Sequence, residues 1–453
     1  MRTPLRQRMS PRRLLALAST RTGVLGLTTV GNLLVRTGSS MILTRLLAPS
    51  AFGIVGIITS VFFVVTMITD LGFEAFLIRH QRTDDRHFRD VIWTIHAKRG
   101  LLLFLAVALG SPVIAWAFNK PVIAMPLAVA SLTFAVNGLT SLSLMTALRR
   151  DKARELSLLD FGLQLFSTIT CLLLALWWRN AWSIIAAMVM QSCLRALLSY
   201  RLFADSAQRL ARDNAVSREF IAFSRMILMS SIMALLIGQS DKLILGRLFT
   251  LNEFGLYAIA LTISGAPTAF GESYVRRIAF PVYAQTWRQT PSDLPTVYYG
   301  VRRTVSALYA FGCGGLIGGA QLLIALLYDP RYSAAAAFMS LLMISTALRL
   351  PNVAASELLT ATGDMKRMVR ITLVRVLWLA GAIPLGIVLF GTIGVVAAVG
   401  LIEVPAMLYC WLMLQKARVL DLREEMSFLG FVGVGAITGF LLGTEVLHLF
   451  PHL

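Results

Sequence analysis

Residues Arg45–Gly53 read RLLAPSAFG, and residues Arg247–Gly255 read RLFTLNEFG. With a shift of 202 positions, SSMILTRLLAPSAFGIVGI lies over DKLILGRLFTLNEFGLYAI, and seven of the nineteen positions are identical. The matches are Ile42 with Ile244, Leu43 with Leu245, Arg45 with Arg247, Leu46 with Leu248, Phe52 with Phe254, Gly53 with Gly255 and Ile57 with Ile259. Each phrase closes one long apolar run and opens the next. A polar junction spelled alike in two places implies a duplicated block of helices running in the same direction, a parallel repeat.

The runs on either side set the fold class. The chain has 453 residues, 57% hydrophobic and only 14% charged, against about 45–50% and about 25% for soluble domains. The apolar residues fall in blocks of roughly 20–28, long enough as helices to cross a hydrocarbon core of about 30 Å. About thirteen spans are predicted, near 22–46, 53–78, 92–118, 121–148, 156–178, 181–203, 219–249, 254–283, 300–328, 333–362, 367–390, 393–416 and 427–450, within a range of 12–14. Pro126 and Asn137 interrupt the fourth block. Helices are required because lipid offers the backbone no hydrogen-bond partners, and the runs are too long and continuous for barrel strands. The expected fold is an all-α integral membrane protein of two pseudo-symmetric six-helix bundles around a central cavity. The segments are a basic N-terminus at 1–21, bundles at 22–210 and 211–418, and a further helix at 419–453.

Alternating spans sort the basic residues. Placing the N-terminus inside leaves only Arg45, Lys120, Arg179, Arg247 and Arg331 in outer connectors, with the inner ones rich in Arg. This positive-inside pattern predicts a cytoplasmic N-terminus, and an odd span count predicts the opposite side for the C-terminus. The net charge of +19 follows from the same bias and from anionic headgroups, so no nucleic-acid partner is expected. The first apolar run lacks a signal-peptidase pattern. Cys171, Cys193, Cys313 and Cys410 fall inside spans without metal-ligand spacing, and no metal site is expected.

The motif Arg-Leu-Leu-x-Pro-x-x-Phe-Gly, followed by a span ending ITDLGFEAFLIRH (Ile68–His80), resembles the polysaccharide-biosynthesis membrane proteins, the Wzx-type O-antigen and exopolysaccharide flippases. Their superfamily also holds the multidrug and toxin extrusion transporters and the lipid II flippases. The resemblance covers the chain in length and span pattern. Its specific motif is confined to the first two spans, with an echo in the seventh and eighth. It implies transfer of an undecaprenyl-pyrophosphate-linked oligosaccharide across the bacterial cytoplasmic (inner) membrane by alternating access. The implied partners are that lipid-linked oligosaccharide, membrane lipids and a polysaccharide polymerase or chain-length machinery. An ion-coupled drug antiporter is the alternative, and a membrane glycan polymerase or ligase a weaker one. No P-loop, metal cluster or nucleophile–His pairing supports an enzyme.

Ionisable residues inside spans are costly and mark polar interiors. They include Arg36, Asp160, Arg195, Arg225, Asp241, Lys242, Glu272, Arg349, Glu357, Arg375 and Glu403. Arg36 and Arg349 lie deepest by the helical rise of about 1.5 Å, while Arg225 and Arg375 lie nearer the inner edge. Guanidinium forks suit phosphate oxygens, so Arg36, Arg195, Arg225, Arg349 and Arg375 are expected to form a cationic cavity for the pyrophosphate. Pairing of each Arg with a nearby acid is the alternative, with Asp70, Glu74, Glu357 and Glu403 available. Asp70 and Glu74, four apart on one helical face, together with Asp160 and Glu357, are candidates for coupling to H+ or Na+. Salt bridging near Arg79 and Arg82 is the competing role for the first pair. No other cofactor is expected.

Overall fold

The computed structural model describes residues 21–69, 71–147, 149, 152–202 and 207–449. Every regular element among them is helical. Nine helical stretches among the described residues are long and apolar enough to cross a membrane. The count is ten when Pro291–Gly318 and Ala320–Leu327, bent by 73°, are joined as one span. Large apolar side chains stand fully outward, including Leu109, Trp116, Trp177 and Val388, an inside-out surface that only lipid tolerates. This is a multi-pass membrane protein.

The duplicated phrase makes the same junction by two chemistries. In the first copy Pro49 opens the helix Pro49–Ile68, where its missing N–H costs nothing and its fixed φ suits the first turn. In the second, Thr250 and Glu253 form a capping box before Leu251–Tyr274: Glu253 N–H donates to Thr250 Oγ1 at 3.3 Å and Thr250 N–H to Glu253 Oε2 at 2.8 Å. The two junctions also touch. A methyl at Gly53 would overlap the Leu251 carbonyl, and one at Gly255 the Pro49 carbonyl. Phe52 packs edge-on to Tyr332, whose hydroxyl donates to the Leu47 carbonyl at 2.9 Å.

Several expected spans are broken at identifiable residues. The run 53–78 is helical only over Pro49–Ile68; Gly72, at φ 65°, precedes a separate short helix, Phe73–Arg79. The one-face spacing of Asp70 and Glu74 required a continuous helix through this point, and the described backbone does not provide one. Run 121–148 is divided at Ser131 and again after Gly138. Run 219–249 is broken at Gln239, between Asn214–Gly238 and Ser240–Leu248. Run 254–283 continues through a π-turn at Val275–Ala279 into Phe280–Gln289. Met365–Gly400 holds the expected reversal near 391: Gly391 takes φ 60°, ψ −138°. Gly386 and Gly394 then meet backbone to backbone, and Trp378 Nε1 donates to the Ala398 carbonyl at 2.8 Å.

The chain divides into two compact units, each taking part of Pro49–Ile68. One holds the described residues up to Leu46 with Val61–Met233; the other holds Leu47–Ser60 with Ala234 to the last described residue. In the first, Arg21–Leu46 packs on Ala153–Trp178, and Arg86–Ala117 on Leu132–Gly138, where Gly100 meets Gly138. Phe73, Phe76, Phe88 and Phe220 build an aromatic core at one end. In the second, Ala335–Ala361 is the central element, its buried residues spread around the helix. It packs on Leu251–Tyr274, Leu294–Gly318, Met365–Gly400 and Glu403–Lys416.

Candidate functional site

The central Ala335–Ala361 helix carries Arg349 fourteen residues from its start, about 21 Å along the axis, so the charge lies deep in the span. Asn352, three residues on, shares its face. Glu403 opens the helix Glu403–Lys416, where the positive end of the helix dipole favours a carboxylate. Arg375 reaches in from Met365–Gly400 and Glu272 from Leu251–Tyr274.

These side chains form one cluster around Glu403, which is fully buried. Arg349 Nη1 lies 2.5 Å from Glu403 Oε1, and Arg375 Nη2 2.7 Å from Glu403 Oε2. Asn352 Nδ2 donates to Glu403 Oε2 at 2.7 Å and to its carbonyl at 2.9 Å. Both carboxylate oxygens are therefore engaged. Arg349 also holds Glu272 through Nε and Nη2, each 3.0 Å from Oε1. Two cations face two anions, so the cluster is formally neutral. Burial is graded: Arg375 is 11% exposed, while Glu272 at 28% and Arg349 at 32% form an accessible edge. Glu403, Arg375 and Asn352 thus anchor the cluster, and Arg349 with Glu272 is the pair that can exchange partners. A guanidinium held by one carboxylate at an open edge can accept a phosphate in its place.

Among the other predicted site residues that the structure describes, only Glu357 belongs to the same compact unit as this cluster. Glu357 pairs with Arg276 of the π-turn at 3.4 Å. Arg195 and Asp160 face each other at 3.0 Å, both half-exposed. Arg36 and Arg225 are exposed on Arg21–Leu46 and Asn214–Gly238. Glu74 is exposed in the first turn of Phe73–Arg79, and Asp70 lies outside the described residues. Of the expected cationic set, the structure brings together Arg349 and Arg375, and it pairs them with acids. Glu272, Glu403 and Asn352 complete that cluster without having been among the expected site residues. Two in-span acids and an amide one turn from a deep Arg were the available signals. Among the described residues, no group of three or more His, Cys, Asp or Glu could hold a metal ion.

Residues 42–337 match the model of a family described as polysaccharide biosynthesis protein. The chain belongs to that family. Among curated relatives, it is 24% identical over 361 residues to the succinoglycan biosynthesis transport protein ExoT of Rhizobium meliloti (strain 1021), covering 76% of this chain and 69% of that one. It is 21% identical over 290 residues to the teichuronic acid biosynthesis protein TuaB of Bacillus subtilis (strain 168), covering 62% of this chain and 58% of that one. Among solved structures, the lipid II flippase MurJ in an inward closed conformation superposes with TM-score 0.71 at 11% identity, over 94% of this chain and 98% of that one. An inward-facing MATE multidrug transporter superposes with TM-score 0.63 at 12% identity, over 87% and 95%. The fold is the one shared by these transporters, and the family's relatives serve polysaccharide biosynthesis and transport.

Proposed function

We propose that this protein is a flippase for undecaprenyl-pyrophosphate-linked oligosaccharide repeat units. It would work by alternating access in the bacterial inner membrane, with its N-terminus in the cytoplasm, and would feed a polysaccharide polymerase. Family membership and the flippase-type fold support the substrate class. The observation that carries the mechanism is the deep Arg349, held on one side by the anchored Glu403 and on its open side by Glu272.

In this reading Arg349 alternates between Glu272 and the pyrophosphate. With Glu272 ionised, the guanidinium is satisfied and the cluster neutral. Neutralising Glu272 with H+, or engaging it with Na+, frees the fork of Arg349 and leaves one net positive charge for the diphosphate. Glu403 and Arg375 keep the guanidinium in place throughout. Arg36, Arg195 and Arg225 are proposed as further stations for the anion, and Asp160, Glu74, Asp70 and Glu357 as lesser coupling groups. A drug antiporter calls for an acid-dominated pocket, whereas here cations equal acids.

The test is export of polysaccharide in a deletion strain carrying variants that insert normally. Arg349→Ala is expected to abolish export and to accumulate lipid-linked repeat units on the inner leaflet. Glu272→Gln is expected to retain export but lose its dependence on pH or Na+. Full export by Arg349→Ala would end the proposal.

A further inference from the structure

The helices Leu294–Gly318 and Leu422–Leu449 run side by side on glycine. A methyl at Gly314, Gly318, Gly435 or Gly439 would overlap the backbone of the facing helix. Toward the starts of both helices the side chains are larger, and a cavity of about 430 Å³ lies between them. Two of its lining groups are nine-tenths buried and lack a partner atom. Arg302, 4% exposed, donates to Glu425 and stacks over the Tyr298 and Tyr299 rings at 4.5 and 4.9 Å, yet its Nη1 has no acceptor. The Ser306 hydroxyl, one turn on and 7% exposed, has none either. Both atoms are sealed from the free space of the cavity, so they make its inner wall polar without themselves reaching a ligand, and the groups open to a headgroup lie further along.

The cavity continues. A hollow of about 780 Å³ shares Tyr299, Arg303 and Glu424 with it and adds Arg418 and Asp421. A third, of about 330 Å³, joins the second through Gln415, Leu420 and Leu422 and is otherwise walled by Leu408, Trp411 and Leu412. The result is a groove with a polar middle and an apolar arm at each end. Leu308 and Phe431, both exposed, line one arm; Leu408 and Leu412, also exposed, line the other. In the middle, Arg303 and Arg418 stand against Asp421 and Glu424, with Arg303 and Glu424 paired at 3.4 Å. This lining is formally neutral but locally bipolar.

We propose that this groove is a specific site for one bilayer phospholipid with a zwitterionic primary-amine headgroup. Its phosphate meets Arg303 and Arg418 with Arg302 behind them. Its ammonium meets Glu424 and Asp421, and its two chains follow the two apolar arms. An anionic headgroup would satisfy the arginines and face the two acids uncompensated. A trimethylated headgroup offers the acids no N–H donor.

The test is native mass spectrometry of the delipidated full chain in detergent, offered phosphatidylethanolamine, phosphatidylglycerol or phosphatidylcholine at equal concentration. One bound phosphatidylethanolamine per chain is expected, preferred about tenfold over either competitor, the factor that one charge-assisted hydrogen bond supplies. Arg303→Ala with Arg418→Gly should remove that preference; Arg418 has φ 55°, so glycine keeps its turn. Ser427→Trp, which fills the cavity from an exposed position, should remove it independently, so a folding failure of one variant does not decide the matter. Equal or tighter binding of phosphatidylglycerol would overturn the proposal. So would unchanged retention in a folded variant, or displacement of the lipid by inorganic phosphate or free phosphoethanolamine alone.

Discussion

Glu403→Gln is the sharpest perturbation of the cluster. The side chain keeps its shape and loses one charge, leaving Arg349 with Glu272 and Arg375 with an amide. Removing one partner from a buried ion pair costs about 3–5 kcal/mol, because the remaining charge stays desolvated. Arg375→Met leaves Glu403 bonded to Arg349 and Asn352 and so should cost less, about 1.5–3 kcal/mol, the worth of one hydrogen bond to a charged group. The double variant removes both members and spares the unpaired charge. Its cost should therefore fall short of the sum of the single costs by about 0.5–3 kcal/mol. The assay is unfolding of the purified protein by titrated SDS in mixed micelles, followed by tryptophan fluorescence, for all four corners of the cycle. Costs that add, or an Arg375→Met variant as damaging as Glu403→Gln, would refute the view of Glu403 as the shared anchor.

Other outcomes follow from local geometry. Gly53→Ala and Gly255→Ala should each destabilise by about 1–3 kcal/mol, as overpacking does, and the same titration reads them. Gly439→Val should loosen the Leu422–Leu449 helix from Gly315 and Gly319, seen as faster proteolysis of the C-terminal segment. Thr250→Ala removes the capping box and should cost about 1 kcal/mol, with faster amide exchange in the first turn of Leu251–Tyr274. Asp85 caps Arg86–Ala117, and its carboxyl is held below the usual range first by the bond from Arg82, then, against the opposing effect of desolvation, by the His87 and Phe88 N–H groups. Because its folded value is depressed, the cap's contribution is present above the unfolded value of about 3.9 and is lost as pH falls through the folded value. The protection of amides 87–89, measured relative to their intrinsic exchange rates, should therefore fall in acid, and Asp85→Ala should abolish that change in protection.

The spans were legible because hydropathy is a property of the chain itself. The helix breaks were legible only in part. Pro126 and Asn137 pointed to an interruption of the run 121–148, which divides instead at Ser131 and after Gly138, while Gly72 and Gln239 look like ordinary residues until tertiary packing bends the chain there. The depth of Arg349 could be counted from residue numbers. Its partners could not, since periodicity tells which residues share a face but not which helix that face meets. Glu403 was visible as an in-span acid; that two arginines and Asn352 close on it depends on helices far apart in sequence. Arg36 was as deep as Arg349 by residue count and Arg225 nearer an edge, yet both are exposed, which a count along the helix does not specify.

The contact between the two junctions gives the doubled spelling a reason. Each copy supplies the missing side chain that lets the other copy's backbone come near: Gly53 makes room for Leu251, and Gly255 for Pro49. Two stretches of like sequence so far apart in a chain are ordinarily free to differ. Here a gain of bulk on either side is a collision with the sibling segment, so the two glycines are held as a pair by mutual exclusion of volume. Repair of one change would have to come from the opposite copy, about two hundred residues away in the chain and one atom away in space.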